Sequence, residues 1–356
     1  MTGRVLLYGA TGYTGRKIAR ALGETELVVA GRDPSGVAAL AKELKRRSCV
    51  FPLTDPRQVE AALVKAEVSV VLHAAGPFTS TARPMMDACL KTGVHYLDLC
   101  GEWPVFCEAV ARDEAAERAG VMLVPGVGLT IAATDCLLAH AASLWPKTER
   151  LRLGVSRAQL ITRGSMVSAA QLAAPEALIR RDGALVGVPA GSLTHAFDFG
   201  GGLREATAVS WADVVTGERS TGVRNIEVYS DIGWPARAGY TASGLAMSLA
   251  GAGLWRRAGG AFARLWPEGP SDEARDRARF VMVAEALDPW RRSQRLTMRT
   301  LDGYTASVLT AAAAVRLVLV GCVEPGFRTP SQAFGRDFVV NEGAAEPPKL
   351  TTEAAP

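Results

Sequence analysis

The stretch that decides the fold of this 356-residue chain runs from residue 4 to residue 22 and reads RVLLYGATGYTGRKIARAL. Its first part, Arg4–Tyr8, is an apolar run that predicts a β-strand, and its last part, Lys17–Leu22, predicts a helix. Between them glycine recurs at every third position, at Gly9, Gly12 and Gly15. In such a strand–turn–helix unit, the first glycine permits the tight turn, the second lets a pyrophosphate approach the backbone, and the third lets helix and strand pack closely.

This turn predicts a dinucleotide site, because the N-terminus of the following helix presents unpaired N–H groups and the positive end of its dipole to phosphates. A glycine-rich turn without a ligand is the alternative, and the strand–helix alternation that follows argues against it. The residues predicted to bind the cofactor here are Gly9, Thr11, Gly12, Tyr13, Thr14 and Gly15.

The first 135 residues alternate short apolar runs with helical stretches, which is typical of a parallel sheet covered by helices. Helices are predicted at residues 17–22, 37–47, 58–65, 83–92 and 104–118. Strands are predicted at residues 4–8, 26–30, 49–53, 68–74, 94–99 and 121–124. We therefore expect an α/β fold with a Rossmann-type, doubly wound parallel sheet over residues 1–135.

Past residue 150 the pattern changes to strands separated by glycine-rich turns, and it predicts a second, α+β domain over residues 136–341 for substrate binding or dimerisation. The predicted elements are strands at 151–155, 206–211 and 225–229, helices at 239–290 and 311–320, and a hairpin of strands 296–300 and 305–310 around Asp302–Gly303. The C-terminal part of this domain is able to pack back onto the Rossmann domain. Residues 342–356 are poor in apolar residues and rich in proline, so we expect a disordered tail.

The end of the second strand distinguishes NADP from NAD. NAD sites usually place an acidic residue there, whereas NADP sites place an arginine near the 2′-phosphate. Arg32 is the first residue with a side chain after the strand, and its guanidinium can hold a phosphate bidentately. Asp33, one residue further, can instead cap the turn at Pro34, while Arg16 either reaches the same phosphate or faces solvent. We therefore predict NADP(H) as the cofactor.

Two further strand ends carry candidate cofactor contacts. Asp55 follows the third strand and either accepts from the adenine amino group or forms a turn before Pro56. Small residues after the fourth strand would let ribose and nicotinamide pass close to the backbone, and the next two residues would form a wall beside the ring. The predicted contacts at this position are Ala75, Gly76, Pro77 and Phe78.

Candidate catalytic residues follow the fifth strand. Period-two alternation places Tyr96 and Asp98 on one face of that strand, pointing toward the same crevice as Glu102. Such groups can act as acid or base, or hold a cationic substrate group, whereas the alternative is that Asp98 and Glu102 cap the helix near Pro104. We predict Tyr96, Asp98 and Glu102 as candidate proton donors. A second glycine turn, Gly126–Thr130, is predicted to close over the nicotinamide or the substrate.

Composition excludes several classes of function. The 40 Lys and Arg residues exceed the 36 Asp and Glu residues by only 4 and are scattered, so no nucleic-acid surface is expected. The six cysteines contain no C-x-x-C and the four histidines are isolated, so we predict no metal site and reduced thiols in a cytoplasmic protein. The uncharged run 238–255 is too diluted by polar residues for a membrane span. Within 238–266 we expect a buried helix, a dimer face or an acyl-pocket wall, with peripheral membrane contact as the open alternative.

Three motifs together resemble the saccharopine-dehydrogenase-type NADP-binding domain: Gly9–Gly15, Ala75–Phe78 and His95–Glu102. Two C-terminal runs, Asp302–Tyr304 and Glu324–Gly335, are similar to the trans-acting enoyl reductase branch of that family. The resemblance implies a Rossmann domain that carries NADP(H), a second α+β domain and a homodimer. The run from 126 to 135 departs from the family pattern, because it lacks the usual Asp-Ser pair and the internal proline. The resemblance therefore does not extend to a particular substrate.

The resemblance implies an NADPH-dependent oxidoreductase, which we expect to reduce a C=C bond of a small or acyl-carrier-bound metabolite. The first alternative is an imine or secondary-amine dehydrogenase that acts on a C–N bond. A substrate with two carboxylates would then need converging arginines, and the candidates are Arg163, Arg180 and Arg181. The second alternative is an NADP-binding protein without turnover.

Overall fold

The structure is a computed structural model that describes residues 3–156, 162–172, 174–232, 237–238, 240–242, 247, 265–267 and 269–351. The chain divides into two compact units. The first comprises residues 1–132 and 304–344, and the second comprises residues 133–303 and 345–356. Residues 304–341, which the sequence assigns to the second domain with the option of packing back, thus lie in the first unit.

The N-terminal part of the chain alternates strands and helices along almost its whole length. The strands are β1 (Val5–Tyr8), β2 (Leu27–Gly31), β3 (Arg47–Val50), β4 (Val70–His73), β5 (His95–Asp98) and β6 (Met122–Val124). The helices are α1 (Tyr13–Ala21), α2 (Pro34–Leu44), α3 (Pro56–Ala66), α4 (Phe78–Thr92), α5 (Trp103–Val110), α6 (Asp113–Ala119) and α7 (Leu129–Leu144). The single helix predicted over 104–118 is therefore two helices, α5 and α6.

Beyond α7 the part of the chain that the structure describes contains both strands and helices. The strands are β7 (Arg150–Val155), β8 (Glu176–Arg181), β9 (Ala184–Pro189), β10 (Thr194–Asp198), β11 (Leu203–Ala208), β12 (Ile226–Ser230), β13 (Phe280–Leu287), β14 (Ser293–Thr300), β15 (Gly326–Phe327) and β16 (Lys349–Thr351). The helices are α8 (Arg163–Leu172), α9 (Asp213–Thr221), α10 (Asp272–Arg277), α11 (Gly303–Leu319), α12 (Pro330–Phe334) and α13 (Phe338–Asn341).

The first unit is built on a parallel sheet, which has seven strands among the described residues, in the order β15-β6-β5-β4-β1-β2-β3. The order reverses between β1 and β4, which pair in parallel from Val5↔Val70 to Tyr8↔His73. Every residue of these two strands is buried, as expected of central strands with helices on both faces. The predicted Rossmann-type doubly wound sheet is confirmed, and ligands of such sheets bind at the carboxyl ends of the strands, where the order reverses.

The second unit contains a mixed sheet of nine strands within the described ranges. Seven follow the order β10-β11-β12-β7-β13-β14-β16, and β8 joins β9 to β12. On one face the Phe197 ring packs against the Tyr229 ring, with centroids 5.6 Å apart, and Val283 belongs to the same buried cluster. A Cβ at Gly154 would lie 2.6 Å from the Phe197 ring, so this strand position requires glycine.

Three sequence predictions for the C-terminal part are wrong. Thr305–Thr310 is not the second strand of a hairpin, because it belongs to helix α11, whose central run Ala311–Ala314 consists of the best helix former. Phe280–Leu287 is a strand, although the sequence predicts helix over 239–290. Residues 349–351 are a strand rather than disordered tail, because β14 offers its edge and pairs Leu296 with Leu350. Most of the apolar segment 238–266 lies outside the described residues.

No helix within the described ranges is long and apolar enough to cross a membrane. In the same ranges no three His, Cys, Asp or Glu side chains lie together in a group that could hold a metal ion.

Candidate nucleotide-binding site

The glycine turn after β1 is held tightly by its own chain at two of its three glycines. Gly9 has a φ of +85°, and its N–H donates to the carbonyl of Ala30 at 2.9 Å. A Cβ at Gly9 would lie 2.8 Å from backbone atoms of Ala74 and Ala75, and a Cβ at Gly15 would lie 2.2 Å from the Gly9 carbonyl oxygen. Both glycines are therefore required by packing inside the first unit.

Gly12 differs from the other two glycines of the turn. It is exposed, its φ of −71° suits any residue, and a Cβ would meet only the Gly9 carbonyl oxygen, at 3.3 Å, among the described atoms. It is also the N-cap of α1, and it can offer no side chain to that helix end. Packing therefore constrains Gly12 less than the other two glycines, and its role in letting a pyrophosphate approach the backbone stays a prediction.

After β2, Arg32 is exposed, whereas the carboxylate of Asp33 is engaged within the chain. Arg32 is exposed, and its positive charge partly offsets the rise that burial causes in the pKa of Tyr8. Asp33 caps α2, because its carboxylate accepts from the amides of Ser35 and Gly36 at 3.2 and 3.1 Å and from the Ser35 hydroxyl at 2.9 Å. Both Asp33 oxygens are thus engaged in the helix cap, and the arginine is the group available for a 2′-phosphate.

Asp55 takes the helix-forming role of the two that its sequence allows. Its carboxylate accepts from the amides of Arg57 and Gln58 at 3.0 and 3.4 Å, and from the Gln58 side chain at 2.9 Å. Asp55 is therefore the N-cap of α3, and its contact with the adenine amino group stays a prediction.

The loop after β4 places small groups at the crevice and turns its aromatic ring inward. Gly76 is exposed, and Ala75 and Pro77 are half-buried, as a passage for a ribose requires. Phe78 is only 8% exposed, and its ring packs edge-on against His73 with centroids 5.3 Å apart. The Phe78 ring is therefore part of the packing around His73, and its role as a wall beside the nicotinamide stays a prediction.

His73 supports this loop from below as a neutral group. It is fully buried, and burial lowers its pKa to about 3. Its Nε2 lies 3.0 Å from the hydroxyl of Thr81, which itself donates to the carbonyl of Ala75 at 2.7 Å. The histidine thus takes part in fixing the loop.

Tyr96 and Asp98 face the same side of β5, as the alternation predicts. The Tyr96 hydroxyl donates to Asp98 Oδ2 at 2.6 Å, while Asp98 Oδ1 accepts from the amides of Cys100 and Gly126 at 2.8 and 2.7 Å. Burial raises the pKa of Asp98 to about 7, although these three donors lower it. Both side chains have an exposure of 0%, and their contacts tie the loop after β5 to the loop after β6.

Glu102 ties the next pair of loops. Its carboxylate accepts from the amides of Phe78 and Gly101 at 3.3 and 3.2 Å, and the Cys100 thiol lies 2.8 Å from Oε2. It is 3% exposed, and its side chain does not cap α5. Tyr96, Asp98 and Glu102 therefore brace the three loops at this edge of the sheet. Their role as proton donors stays a prediction.

Tyr304 and Ser307 lie at the same edge and are not among the site residues that the sequence predicts. The Tyr304 ring meets the Tyr13 ring edge-on, with centroids 5.6 Å apart and planes at 88°. The hydroxyl of Ser307 accepts from the amide of Leu129 at 2.9 Å, just after the glycine turn that follows β6. The sequence signal for them is the alanine run Ala311–Ala314, because a helix extended from it back to Gly303 includes both residues.

The arginines predicted to converge do not do so. Arg180 is 9% exposed, donates to the Val214 and Gly183 carbonyls, and pairs with Glu218. Arg163 instead donates to the carbonyl of Trp266, and Arg181 is exposed.

Other arginines of the second unit gather around two buried acids. Arg150 and Arg152 lie 2.7 and 3.1 Å from Glu227, and Arg152 and Arg295 lie 3.3 and 2.7 Å from Glu285. His195 also lies 2.8 Å from Glu285, whose pKa falls to about 2 because these contacts outweigh its burial. These guanidinium groups are therefore paired with carboxylates of the chain itself.

Comparison with known proteins fits this geometry. Residues 5–124 match the family model described as the saccharopine dehydrogenase NADP binding domain. Residues 5–124 of the first unit are therefore similar to a saccharopine dehydrogenase NADP-binding domain. This match confirms both the resemblance predicted from the sequence and NADP(H) as the cofactor of this domain.

Curated relatives match part of the chain. A trans-acting enoyl reductase of Mycobacterium ulcerans (strain Agy99) is 33% identical over 112 residues, and so is one of Mycobacterium tuberculosis (strain ATCC 25618 / H37Rv). Each match covers 29% of this chain and 26% of the relative, so the matched part spans about a quarter of the relative's length.

A solved structure covers nearly the whole chain. The apo saccharopine dehydrogenase (L-Glu forming) from Saccharomyces cerevisiae matches over 98% of this chain and 100% of its own, with a TM-score of 0.64 and 14% identity. At that identity the likeness shows the fold, and it confirms a saccharopine dehydrogenase-like architecture for the chain.

Proposed function

We propose that this protein is an NADPH-dependent oxidoreductase that reduces a C=C bond of a small or acyl-carrier-bound metabolite. The observation that carries the proposal is the match of residues 5–124 to an NADP-binding domain, and the exposed Gly12, with one neighbouring atom at its Cβ position in the described structure, supports it. The 33% identity of part of the chain to trans-acting enoyl reductases supports the choice of bond.

Different residues of the first unit would bind different parts of NADPH. The turn from Gly9 to Gly15 and the first amides of α1 would hold the pyrophosphate, and Arg32 would hold the 2′-phosphate. The loops after β4, β5 and β6, which Asp98 and Glu102 brace, would position the nicotinamide end. When bound, the cofactor supplies the hydride, while the protein supplies orientation and exclusion of water.

The alternative of an imine or secondary-amine dehydrogenase lacks the converging arginines that we expect for a substrate with two carboxylates. Arg163 and Arg180 bind separate partners, Arg181 is exposed, and the arginines near Glu227 and Glu285 are engaged by those acids. An NADP-binding protein without turnover remains an outcome of the test below.

Titration of the protein with NADPH and with NADH, followed by cofactor fluorescence, tests the cofactor site. We expect Arg32→Ala to raise the Kd of NADPH by about 10- to 150-fold, because a charge-assisted bond is worth about 1.5–3 kcal/mol. NADH should be affected less than about twofold. Arg47→Ala is the matched control, since it removes an exposed arginine at the opposite, amino-terminal end of a neighbouring strand. Equal losses for both cofactors would show that Arg32 does not touch the 2′-phosphate.

Consumption of NADPH against a panel of enoyl thioesters and cyclic imines tests the reaction. Turnover of an enoyl thioester supports the proposed function, and turnover of an imine only would replace it with the C–N alternative. Tight NADPH binding without turnover of any compound would favour a non-catalytic role.

A further inference from the structure

The first turn of α11 lies against the pyrophosphate turn of the first unit. Tyr13 is the first residue of α1 and directly follows Gly12. The Tyr304 ring stands edge-on to the Tyr13 ring, at 5.6 Å and 88°, which is a favourable geometry for an aromatic pair. Lys17 Nζ lies 5.3 Å from the centroid of the same Tyr13 ring. Tyr304 is half-buried, so part of the residue remains exposed.

The same turn of α11 also touches the glycine turn after β6. The Ser307 hydroxyl accepts from the Leu129 amide at 2.9 Å, and a Cβ at Gly128 would lie 3.3 Å from that hydroxyl oxygen. Residues three apart lie on one face of a helix, so Tyr304 and Ser307 present the same face to the two turns.

The sheet order shows how far apart the strands before the two contacted turns lie. β1 and β6 are separated by β4 and β5, so three strand spacings of ~4.8 Å place their carboxyl ends about 14 Å apart. The side chains of this helix turn therefore contact residues that follow two strands on opposite sides of β4 and β5. In a sheet of this kind a dinucleotide extends from the glycine turn across the point where the strand order reverses.

We propose that the first turn of α11 is a wall of the cofactor cleft and that the Tyr304 ring contacts bound NADPH. This inference rests on the proposed function and adds a binding residue to it. Tyr13 holds the Tyr304 ring in place, and Ser307 positions the glycine turn after β6. The C-terminal part of the chain thus completes a site whose other groups all come from the first 130 residues.

The test measures the affinity of the full-length protein for NADPH, by cofactor fluorescence, together with the melting temperature. We expect Tyr304→Ala to raise the Kd of NADPH about tenfold, because it removes a flat aromatic contact. Tyr304→Phe keeps the ring and should bind within about twofold of wild type. Tyr304→Leu fills the space without a flat ring, so it should also lose affinity, and it provides a folded variant where alanine disrupts packing.

Phe334→Ala is the matched control. It removes one ring of another aromatic pair of the first unit, Phe334 and Phe338, whose centroids lie 4.9 Å apart. We expect it to lower the melting temperature but to leave the Kd of NADPH within about twofold of wild type. Wild-type affinity in both Tyr304→Ala and Tyr304→Leu would overturn the inference while leaving the proposed function intact. Failure of the wild-type protein to bind NADPH would overturn both.

Discussion

An alanine at position 12 tests whether a phosphate approaches the glycine turn as closely as the geometry requires. The Gly12 backbone, with φ −71° and ψ 166°, accepts an alanine, and the new Cβ would meet only the Gly9 carbonyl oxygen, at 3.3 Å, in the described structure. We therefore expect Gly12→Ala to change the free energy of unfolding by less than about 1 kcal/mol, as ordinary substitutions at exposed positions do.

The effect on the cofactor should be much larger. The added methyl group would occupy the space through which a pyrophosphate reaches the amides of α1. Loss of one charge-assisted bond costs about 1.5–3 kcal/mol, so the Kd of NADPH should rise by about 10- to 150-fold. Fluorescence titration with NADPH measures this effect, and a thermal melt of the same sample measures stability.

Gly15→Ala is the contrasting variant. Its Cβ would lie 2.2 Å from the Gly9 carbonyl oxygen, a backbone atom with little freedom to move. Overpacking of this kind costs about 1–3 kcal/mol, so the melting temperature should fall by several degrees. If Gly12→Ala binds NADPH like the wild-type protein, the pyrophosphate does not approach position 12 and the reasoning from the turn is wrong.

Two further predictions concern buried polar groups. Burial raises the pKa of Asp213 to about 7, helped by the negative charge of Asp135, so this carboxyl favours its protonated form in the fold. The stability that this protonated carboxyl contributes is fully present below about pH 4, near its unfolded pKa, and is lost as the pH rises through 7. Since one pKa unit is worth ~1.4 kcal/mol, the full loss in the free energy of unfolding is at most about 4 kcal/mol. Asp213→Asn should therefore flatten the fall in melting temperature between pH 5 and 8, and an unchanged slope would contradict the assignment. Tyr96→Phe removes the donor to Asp98 and should cost about 1.5–3 kcal/mol of stability, measured by denaturant unfolding, with NADPH affinity within about twofold. A stable Tyr96→Phe variant that binds NADPH but has lost turnover would instead make this hydroxyl the proton donor.

Several features of the site follow from local sequence. The spacing of Gly9, Gly12 and Gly15 between an apolar strand and a helix is enough to predict the turn, because each glycine acts on atoms a few residues away. The period of two along β5 likewise places Tyr96 and Asp98 on one face, and their 2.6 Å contact follows. The turn-forming potential of Asp33 and Asp55 is equally local, since each caps a helix that begins at the next residue.

Tertiary structure alone decided which loops the buried carboxylates join and where the C-terminal part of the chain lies. Asp98 accepts from the amide of Gly126, 28 residues away, and Ser307 accepts from the amide of Leu129, 178 residues away. An Asp-Gly pair between two short apolar runs predicts a hairpin locally, but the chain makes a helix at Gly303 and pairs β14 with β13 and β16 instead. Side-chain periodicity reports which face of an element is buried, whereas the partner across that face is selected by packing of the whole unit, which no single stretch of sequence contains.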